Sequence, residues 1–357
     1  MPSDRVIQVL ASAVAPFATG PTGGVSRYAL ALCRAIDRLG HRPRLFVTEP
    51  LPEAAIADDV EVVAVPGGYQ PSATAAEAEF WPAPADGVLG RMLQAAAQAV
   101  RRGDVEATIN LNHDWLPYWL GELFPGRLLH VANLSAADRA TDAEIRAQHA
   151  RAPGSVACLG ETHRGLLGLD AAPFLPPDLD PDDWPAGDGE GGYVAYCGRL
   201  APEKGVPEAA RAAQAAGRRL HIAGTADDPD WWQGLQAEIA ATGAVEVGFL
   251  GGAALARFMG RAQCLVMAQT WQEAFGIAMA EAMMCGTPLA AVPRGANLEM
   301  VEPGVTGILA EAPTTAALAT AVEAACRLDR GAVREAARRR FAVPAMATAL
   351  ARWLDLT

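Results

Sequence analysis

The sequence contains a single lysine, and this scarcity makes the residue informative. Lys and Arg together number 29, and Lys204 is the one lysine among them. A routine surface cation in this chain could equally have been an arginine. A compact ammonium on a flexible stem has different chemistry from a planar guanidinium. We therefore take Lys204 as a candidate for binding a diphosphate, with chance retention of a surface lysine as the alternative.

An excess of positive charge is also missing. Residues 1–178 hold 14 Arg against 20 acidic residues, and residues 179–357 hold 15 cations against 21 acids, within a net charge of −12. Nucleic acid requires a basic binding face, and anionic membrane surfaces attract one. The charge therefore argues against nucleic acid as a partner and disfavours a membrane surface.

Cysteine motifs and long apolar runs are absent from the sequence. The six cysteines are widely spaced with no Cys-x-x-Cys pair, and several lie in apolar runs, which predicts buried free thiols. No stretch is apolar for long enough to span a bilayer, and the N-terminus lacks a signal-peptide pattern. We expect a cytoplasmic protein without a transmembrane segment.

Short β-like runs alternate with helical patterns along the chain, and this alternation breaks once. Prolines at 173–177, acidic residues at 178–183 and a glycine-rich run to Gly192 separate two halves. A chain of this length favours two domains, and strand–helix alternation predicts parallel sheets covered by helices. The predicted fold class is α/β with two Rossmann-like domains, residues 1–178 and 179–340, whose sheets face a central cleft. The linker at 176–192 is expected to act as a hinge.

The predicted strands are short and regularly spaced. In the first half they are 6–10, 44–47, 60–65, 107–111, 128–132 and 155–158. In the second half they are 193–197, 219–223, 245–247, 264–268, 289–292 and 308–310.

A helix is predicted to begin near Phe275, after the strand at 264–268. The first amides of such a helix have no partner within it, and the helix dipole favours a phosphate there. Those amides belong to Phe275, Gly276 and Ile277, and the glycine permits close approach of a ligand to the backbone. This junction is a candidate phosphate site.

Two carboxylates flank the same helix start. Glu273 precedes it on the loop, whereas Glu281 lies inside the helix among alanines and methionines. A carboxylate in apolar surroundings is costly without partners, which points to a ligand such as a ribose. The alternative makes Glu273 a helix-terminal charge and Glu281 a solvated acid.

Four motifs, in this order, resemble the retaining GT-B glycosyltransferases of the glycogen-synthase-like GT4 family. The matching segments are Gly198-Arg199-Leu200 with Lys204-Gly205, Glu273 and Glu281 in an E-x7-E spacing, Gly286-Thr287-Pro288-Leu289, and Gly304-Val305-Thr306-Gly307. The resemblance implies that residues 341–357 form a helix crossing back to the first domain.

The resemblance also implies roles for individual residues. Arg199 and Lys204 would neutralise the diphosphate of a nucleotide sugar and stabilise it as a leaving group. Glu281 would bind the ribose hydroxyls and Glu273 the hydroxyls of the donor sugar. The adjoining residues Ala274, Phe275, Gly276 and Ile277 would complete the nucleotide-sugar site.

The first half contributes two further candidates. His113, in the run Asn112-His113-Asp114-Trp115, resembles the family's histidine that lines the donor-sugar pocket and is counted with the catalytic residues. Gly23 and Gly24 resemble the glycine loop that approaches the donor phosphate. The alternatives are a hydrogen-bonded loop histidine and a plain tight turn, and Asp114 could cap the following helix.

Aromatic side chains near these residues are candidates for contacting the acceptor. They are Trp115, Tyr118 and Trp119, together with the segments 66–70 and 80–82. Each could equally be ordinary core or rim. The D-x-D sequence at Asp228 is read as a helix cap rather than a metal site.

The resemblance implies a retaining glycosyltransferase of the hexosyltransferase type. It would move a sugar from a nucleotide diphosphate donor, with UDP the expected nucleotide, to an acceptor hydroxyl by front-face attack, without metal or other cofactor. The acidic first half favours a small soluble acceptor over a lipid. The alternatives are a nucleotide-sugar hydrolase or epimerase of GT-B fold, and a non-catalytic nucleotide-sugar-binding protein.

Overall fold

The chain forms two compact units. The computed structural model describes residues 5–14, 17, 23–49, 59–69, 87–134, 139–342 and 344–356. Unit 1 comprises Met1–Asp178 and Pro344–Thr357, and unit 2 comprises Leu179–Val343. Within the described ranges, no helix has the length and apolarity needed to cross a membrane.

Unit 1 is built on a six-stranded parallel sheet of order β3-β2-β1-β4-β5-β6. Its strands are β1 (Val6–Leu10), β2 (Arg42–Thr48), β3 (Glu61–Val65), β4 (Val105–Asn110), β5 (Leu128–Val131) and β6 (Val156–Ala157). Its helices begin with α1 (Gly24–Arg38), α2 (Val88–Arg102), α3 (Trp115–Trp119), α4 (Arg139–Arg151) and α5 (Glu161–Leu167).

Unit 2 repeats this plan, with sheet order β12-β11-β10-β7-β8-β9. Its strands are β7 (Val194–Cys197), β8 (Leu220–Ala223), β9 (Val245–Gly248), β10 (Leu265–Met267), β11 (Leu289–Ala291) and β12 (Gly307–Leu309). The helices are α6 (Val206–Ala215), α7 (Pro229–Ala241), α8 (Gly252–Arg261), α9 (Ile277–Met284), α10 (Asn297–Met300), α11 (Thr315–Ala325) and α12 (Arg330–Phe341). The last helix, α13 (Ala345–Leu354), returns to unit 1.

The central strands are buried on both faces, as continuous apolar runs require. All five residues of β1 are buried, including the polar Gln8. Gln8 lies opposite Thr108 on β4, and the Thr108 hydroxyl donates to Gln8 Oε1 at 2.8 Å. A buried amide with a cross-strand partner avoids part of its desolvation cost.

Strand order reverses once in each sheet, between β1 and β4 in unit 1 and between β7 and β10 in unit 2. Open parallel sheets bind ligands outside the carboxyl ends of their strands at such a reversal. The residues that follow these four strands are therefore the places where each unit can hold a ligand.

The glycine-rich segment 179–192 is bound along unit 2 and is not a free linker, which corrects the expectation of a hinge across these residues. The amides of Leu179, Gly187 and Gly191 donate to the carbonyls of Phe341, Cys285 and Arg261 at 2.8–3.0 Å. A Cβ at Gly187 would stand 2.1 Å from the Gly260 carbonyl oxygen, so the glycine is needed for this approach. The glycine-rich composition of this segment suggested flexibility, but in the structure its Gly187 allows close packing against unit 2.

Helix α13 is anchored to unit 1 by polar contacts at both ends. The Met346 amide donates to Asp178 Oδ1 at 2.7 Å, and Trp353 Nε1 donates to the Gly154 carbonyl at 2.6 Å. Arg127 donates to the carbonyl of Leu354 at 2.9 Å. Burial raises the pKa of Asp178, and its bond to the Met346 amide opposes that shift.

Candidate functional site

The segment after β7 turns tightly and carries Lys204 to the loop that follows β10. A 3-10 turn, Pro202–Lys204, ends at Gly205, where φ is 68°, and α6 begins directly afterwards. A Cβ at Gly205 would stand 2.0 Å from the Ala268 carbonyl oxygen. A residue with a side chain would meet both a strained φ and this clash, so glycine is required for the two segments to touch.

Lys204, Trp271 and Glu273 form a compact group, which we call the lysine cluster. Lys204 Nζ lies 2.7 Å from Glu273 Oε2 and 4.2 Å from the centroid of the Trp271 ring. Trp271 Nε1 donates to the same carboxylate oxygen at 3.3 Å. The side chains of Lys204 and Glu273 are only 16% and 13% exposed, so their charges interact with limited screening by water.

Arg199 sits beside this turn in a network with two acids. Its guanidinium pairs with Glu203 at 2.9 Å and with Asp227 on the loop after β8. The Arg199 side chain remains 34% exposed. The guanidinium is therefore held in place by carboxylates while part of its surface stays open to a ligand.

Helix α9 begins at Ile277, two residues later than predicted. Gly276 is its N-terminal cap, with φ 74° and ψ 69°, a left-handed conformation that ends the loop. Phe275 is buried and packs edge-on against Phe341 with ring centroids 5.8 Å apart, and Ala274 is buried too. The helix start therefore falls on Gly276 and Ile277, because Phe275 is used as an anchor of the loop.

Glu281 is fully buried within α9, with no exposed surface. The alternative of a solvated acid on this helix is therefore wrong. Burying a carboxylate carries a large desolvation cost unless the group is paired or hydrogen-bonded.

Two arginines from α12 hold the opposite end of α9. Arg330 donates to the Cys285 carbonyl at 3.5 Å and to the Gly260 carbonyl at 2.7 Å. Arg334 donates to the carbonyls of Met284 and Trp184. Cations at a helix C-terminus complement its dipole, so these residues stabilise α9 in its place. The sequence motifs did not indicate this role.

In unit 1, His113 follows β4 and is paired with an acid that sequence reasoning missed. Its side chain is 4% exposed, and Nε2 lies 4.0 Å from Asp142 Oδ1 in the first turn of α4. Asp114 caps α3, since its Oδ1 accepts from the Leu116 amide at 2.8 Å, which confirms the capping alternative for that residue. The sequence around Asp142 shows only an acid in the first turn of a helix, and it does not indicate that the side chain lies near His113, 29 residues earlier.

Asn112 joins the loops that follow β1 and β4. Its Oδ1 accepts from the Ala13 amide at 2.7 Å, and its Nδ2 donates to the Ala11 carbonyl at 3.0 Å. These contacts tie together the two strand ends at the strand-order reversal of unit 1. Asn112 is thus a framework residue next to His113.

The remaining first-half candidates divide into four groups. Gly23 caps α1 with φ −63°, and Gly24 is the first residue of that helix, while Thr19–Thr22 lie outside the described residues. Tyr118 is fully buried and stacks on His130 with ring centroids 4.3 Å apart, so it belongs to the core. Trp119 is 55% exposed and Trp115 half-buried. Gln70 and the segment 80–82 lie outside the described residues.

The Asp228 carboxylate acts as the predicted helix cap. Its Oδ1 accepts from the amides of Asp230 and Trp231 at 3.0 and 3.1 Å at the start of α7. This confirms the interpretation of the D-x-D sequence as a capping motif.

The structure and the sequence of unit 2 both resemble known proteins. Residues 185–340 match the family model described as "Glycosyl transferases group 1". This match spans the lysine cluster, Arg199 and the whole of α9. No curated protein sequence matches the chain significantly.

Solved structures resemble the chain over nearly its full length. Sucrose-phosphate synthase from Thermosynechococcus elongatus is 19% identical, covers 99% of this chain and 98% of its own, and has a TM-score of 0.78. Anabaena HepE in complex with UDP and glucose is 15% identical, covers 99% and 100%, and has a TM-score of 0.73. AviGT4, a glycosyltransferase involved in avilamycin A biosynthesis, is 19% identical, covers 98% and 97%, and scores 0.69. The likeness confirms the predicted α/β, GT-B fold class with two Rossmann-like sheets.

Proposed function

We propose that the protein is a glycosyltransferase that moves a sugar from a nucleotide diphosphate sugar to an acceptor hydroxyl with retention of configuration. The observation that carries the proposal is the lysine cluster. It joins a shielded cation and a carboxylate at the strand-order reversal of unit 2, directly before the N-terminus of α9. The match of residues 185–340 to group 1 glycosyl transferases supports the same activity.

The cations carry the leaving-group chemistry in this proposal. Lys204 and Arg199 neutralise the charge that develops on the departing diphosphate, and charges fixed in advance are effective because they need little reorganisation. The amides at Gly276 and Ile277, with the dipole of α9, bind the distal phosphate. The two cations supply this charge without a metal ion.

The carboxylates of Glu281 and Glu273 bind different parts of the donor in this proposal. Glu281 accepts hydrogen bonds from the ribose hydroxyls, and Glu273 accepts them from the hydroxyls of the donor sugar. Glu273 therefore exchanges part of its contact with Lys204 for the sugar when the donor binds. His113, held beside Asp142 within unit 1, keeps the catalytic role proposed for it.

The reaction needs no nucleophile from the protein. The acceptor oxygen attacks the anomeric carbon from the face that the diphosphate leaves, the bond from that carbon to the phosphate oxygen breaks, and the leaving phosphate oxygen takes the acceptor proton. UDP is the proposed nucleotide, because HepE, a structural neighbour, was crystallised with UDP and with UDP-glucose. The acidic charge of the first half favours a small soluble acceptor.

A thermal-shift screen against nucleotides and nucleotide sugars identifies the donor, since a ligand that binds only the folded state raises Tm. NMR of the product from that donor and a panel of hydroxyl acceptors then tests the reaction. Transfer with the donor's anomeric configuration supports the proposal. Release of free sugar in the presence of every acceptor indicates a hydrolase, an epimerised nucleotide sugar indicates an epimerase, and binding without turnover indicates a binding protein.

A further inference from the structure

Two cysteines of unit 2 touch each other outside the lysine cluster. Cys264 immediately precedes β10, and Cys326 is the C-terminal cap of α11. Their sulfur atoms are 3.7 Å apart across 62 residues of sequence. Cys264 is fully buried in the core of unit 2, whereas Cys326 is partly exposed. Cys326 is thus the more exposed residue of the pair, and its sulfur contacts a thiol in the core.

The contact makes the two thiols unequal acids. The hydrogen bond between the two thiols, assisted by the charges of Arg218 and Arg327, lowers the pKa of Cys326, although burial opposes the shift. The same hydrogen bond, together with burial, raises the pKa of Cys264 well above its usual range. The C-terminal dipole of α11 disfavours a thiolate at Cys326, and the two arginines counter it. Cys326 is the thiol of the pair that ionises first.

The other buried cysteines do not combine partial exposure with a lowered pKa, as Cys326 does. Cys33, Cys158 and Cys285 are buried, and burial raises the pKa of each to about 12. A thiol that stays protonated is a poor nucleophile. Cys197 is also only partly buried, which makes it the matched control for accessibility.

We propose that Cys264 and Cys326 form a reversible oxidation site whose oxidant is a hydroperoxide. The Cys326 thiolate attacks a peroxide oxygen, the O–O bond breaks, and Cys326 becomes a sulfenic acid while hydroxide or alkoxide leaves. The Cys264 sulfur then attacks the Cys326 sulfur, the S–O bond breaks, and the hydroxyl departs as water with the Cys264 proton. The two thiols lose two electrons in total, the peroxide gains them, and a dithiol reductant reverses the bond by exchange.

The bond would link the strand that leads into the lysine cluster to helix α11. The closed loop contains Glu273, α9 and strands β11 and β12. A cross-link of this span restricts the unfolded chain more than the folded one, so oxidation should raise the Tm of unit 2 by about 5 °C or more.

The experiment compares the wild type with Cys264→Ser, Cys326→Ser and Cys197→Ser. Each protein is treated with hydrogen peroxide, with and without dimedone, then alkylated and analysed by intact mass and peptide mapping. We expect the wild type and Cys197→Ser to lose two free thiols and to give a peptide that links Cys264 to Cys326, restored by dithiothreitol. Cys326→Ser should keep its thiols, and Cys264→Ser should give a dimedone adduct at Cys326 because its sulfenic acid has no resolving partner.

Peptide mapping of the wild type decides the proposal even if a variant fails to fold. All six thiols surviving peroxide in the wild type would overturn it, as would a disulfide joining any other pair of cysteines. A lowered Tm of the oxidised protein would overturn the expected constraint on unit 2.

Discussion

Lys204 and Glu273 stand 69 residues apart in sequence and 2.7 Å apart in the structure. Their contact depends on Gly205, which lets the turn after β7 touch the loop after β10. The pair is shielded by Trp271, whose ring faces the ammonium while its Nε1 donates to the carboxylate. In the proposed enzyme Lys204 binds the diphosphate and Glu273 binds the hydroxyls of the donor sugar. A substitution of Lys204 and a substitution of Glu273 should therefore have different effects on nucleotide binding and on turnover.

Replacing the lysine by arginine tests whether the cluster needs an ammonium. Lys204→Arg keeps the charge but brings a planar fork into a site fitted to a compact group beside Trp271. We expect kcat to fall by about 10²–10³-fold, the usual loss when one donor to a developing negative charge is misplaced. Initial rates at saturating donor, with an unchanged Tm, provide the measurement. A variant as fast as the wild type would mean that Lys204 supplies charge alone.

The roles of Glu281 and Glu273 can be distinguished by comparing binding of free UDP with use of the intact nucleotide sugar. Glu281→Gln should weaken UDP binding by about 10-fold or more, because it removes a charged acceptor of the ribose hydroxyls. Glu273→Gln should leave UDP affinity unchanged or improve it, since Lys204 loses a competing partner, while kcat/KM for the nucleotide sugar falls. Calorimetric titration with UDP and initial rates with the donor check both. Equal losses of UDP affinity in the two variants would contradict the division of roles.

Folding stability should depend on pH through His130 in the core of unit 1. Burial and the charge of Arg151 lower the pKa of His130 from 6.5 to about 3. The unfolded chain therefore binds a proton at His130 more readily than the folded protein does. The contribution of neutral His130 to the free energy of unfolding is complete above pH ~6.5. It declines by about 1.4 kcal/mol per pH unit as the pH falls below that value. His130→Phe keeps a ring against Tyr118 and removes the titration.

Denaturant unfolding between about pH 6 and 4.5 measures this difference. The wild type should lose stability more steeply than His130→Phe as the solution is acidified. Parallel pH profiles for the two proteins would mean that His130 is protonated in the folded state or does not titrate in this range.

Asp142 is expected to position His113. Asp142→Asn removes the negative charge 4.0 Å from His113 Nε2 and keeps the size of the side chain. We expect kcat to fall by about tenfold, while the calorimetric UDP affinity and the KM for the donor stay the same. Glu144→Gln, also on α4, serves as the control. An altered Tm together with an unchanged kcat would assign Asp142 a structural role only.

Most strands could be predicted because their sequence signal is local. Buried parallel strands are continuous apolar runs, and β1 and β7 begin and end within a residue of the predicted bounds. The start of α9 was predicted two residues early because Phe275 continues the helical pattern, whereas Gly276 adopts a left-handed conformation. Short helices such as α10 have too few residues to show a period.

Only those residues of the candidate site that belong to local sequence motifs could be predicted. Glu273 and Lys204 were found in this way, but their partner Trp271 was not, because its contact depends on how two distant loops meet. The same holds for Arg330, which reaches α9 from α12. Polar contacts made across a fold leave no periodic trace in the sequence.

Calorimetric titration of UDP into three proteins tests the central claim most directly. The wild type and Arg211→Ala, which removes a more exposed cation on α6, should bind UDP with the same affinity. Lys204→Ala should bind it at least about 10-fold more weakly, because the diphosphate loses a shielded charge. Equal affinity in all three proteins, or no UDP binding by the wild type, would contradict the assignment of the lysine cluster as a UDP-sugar site.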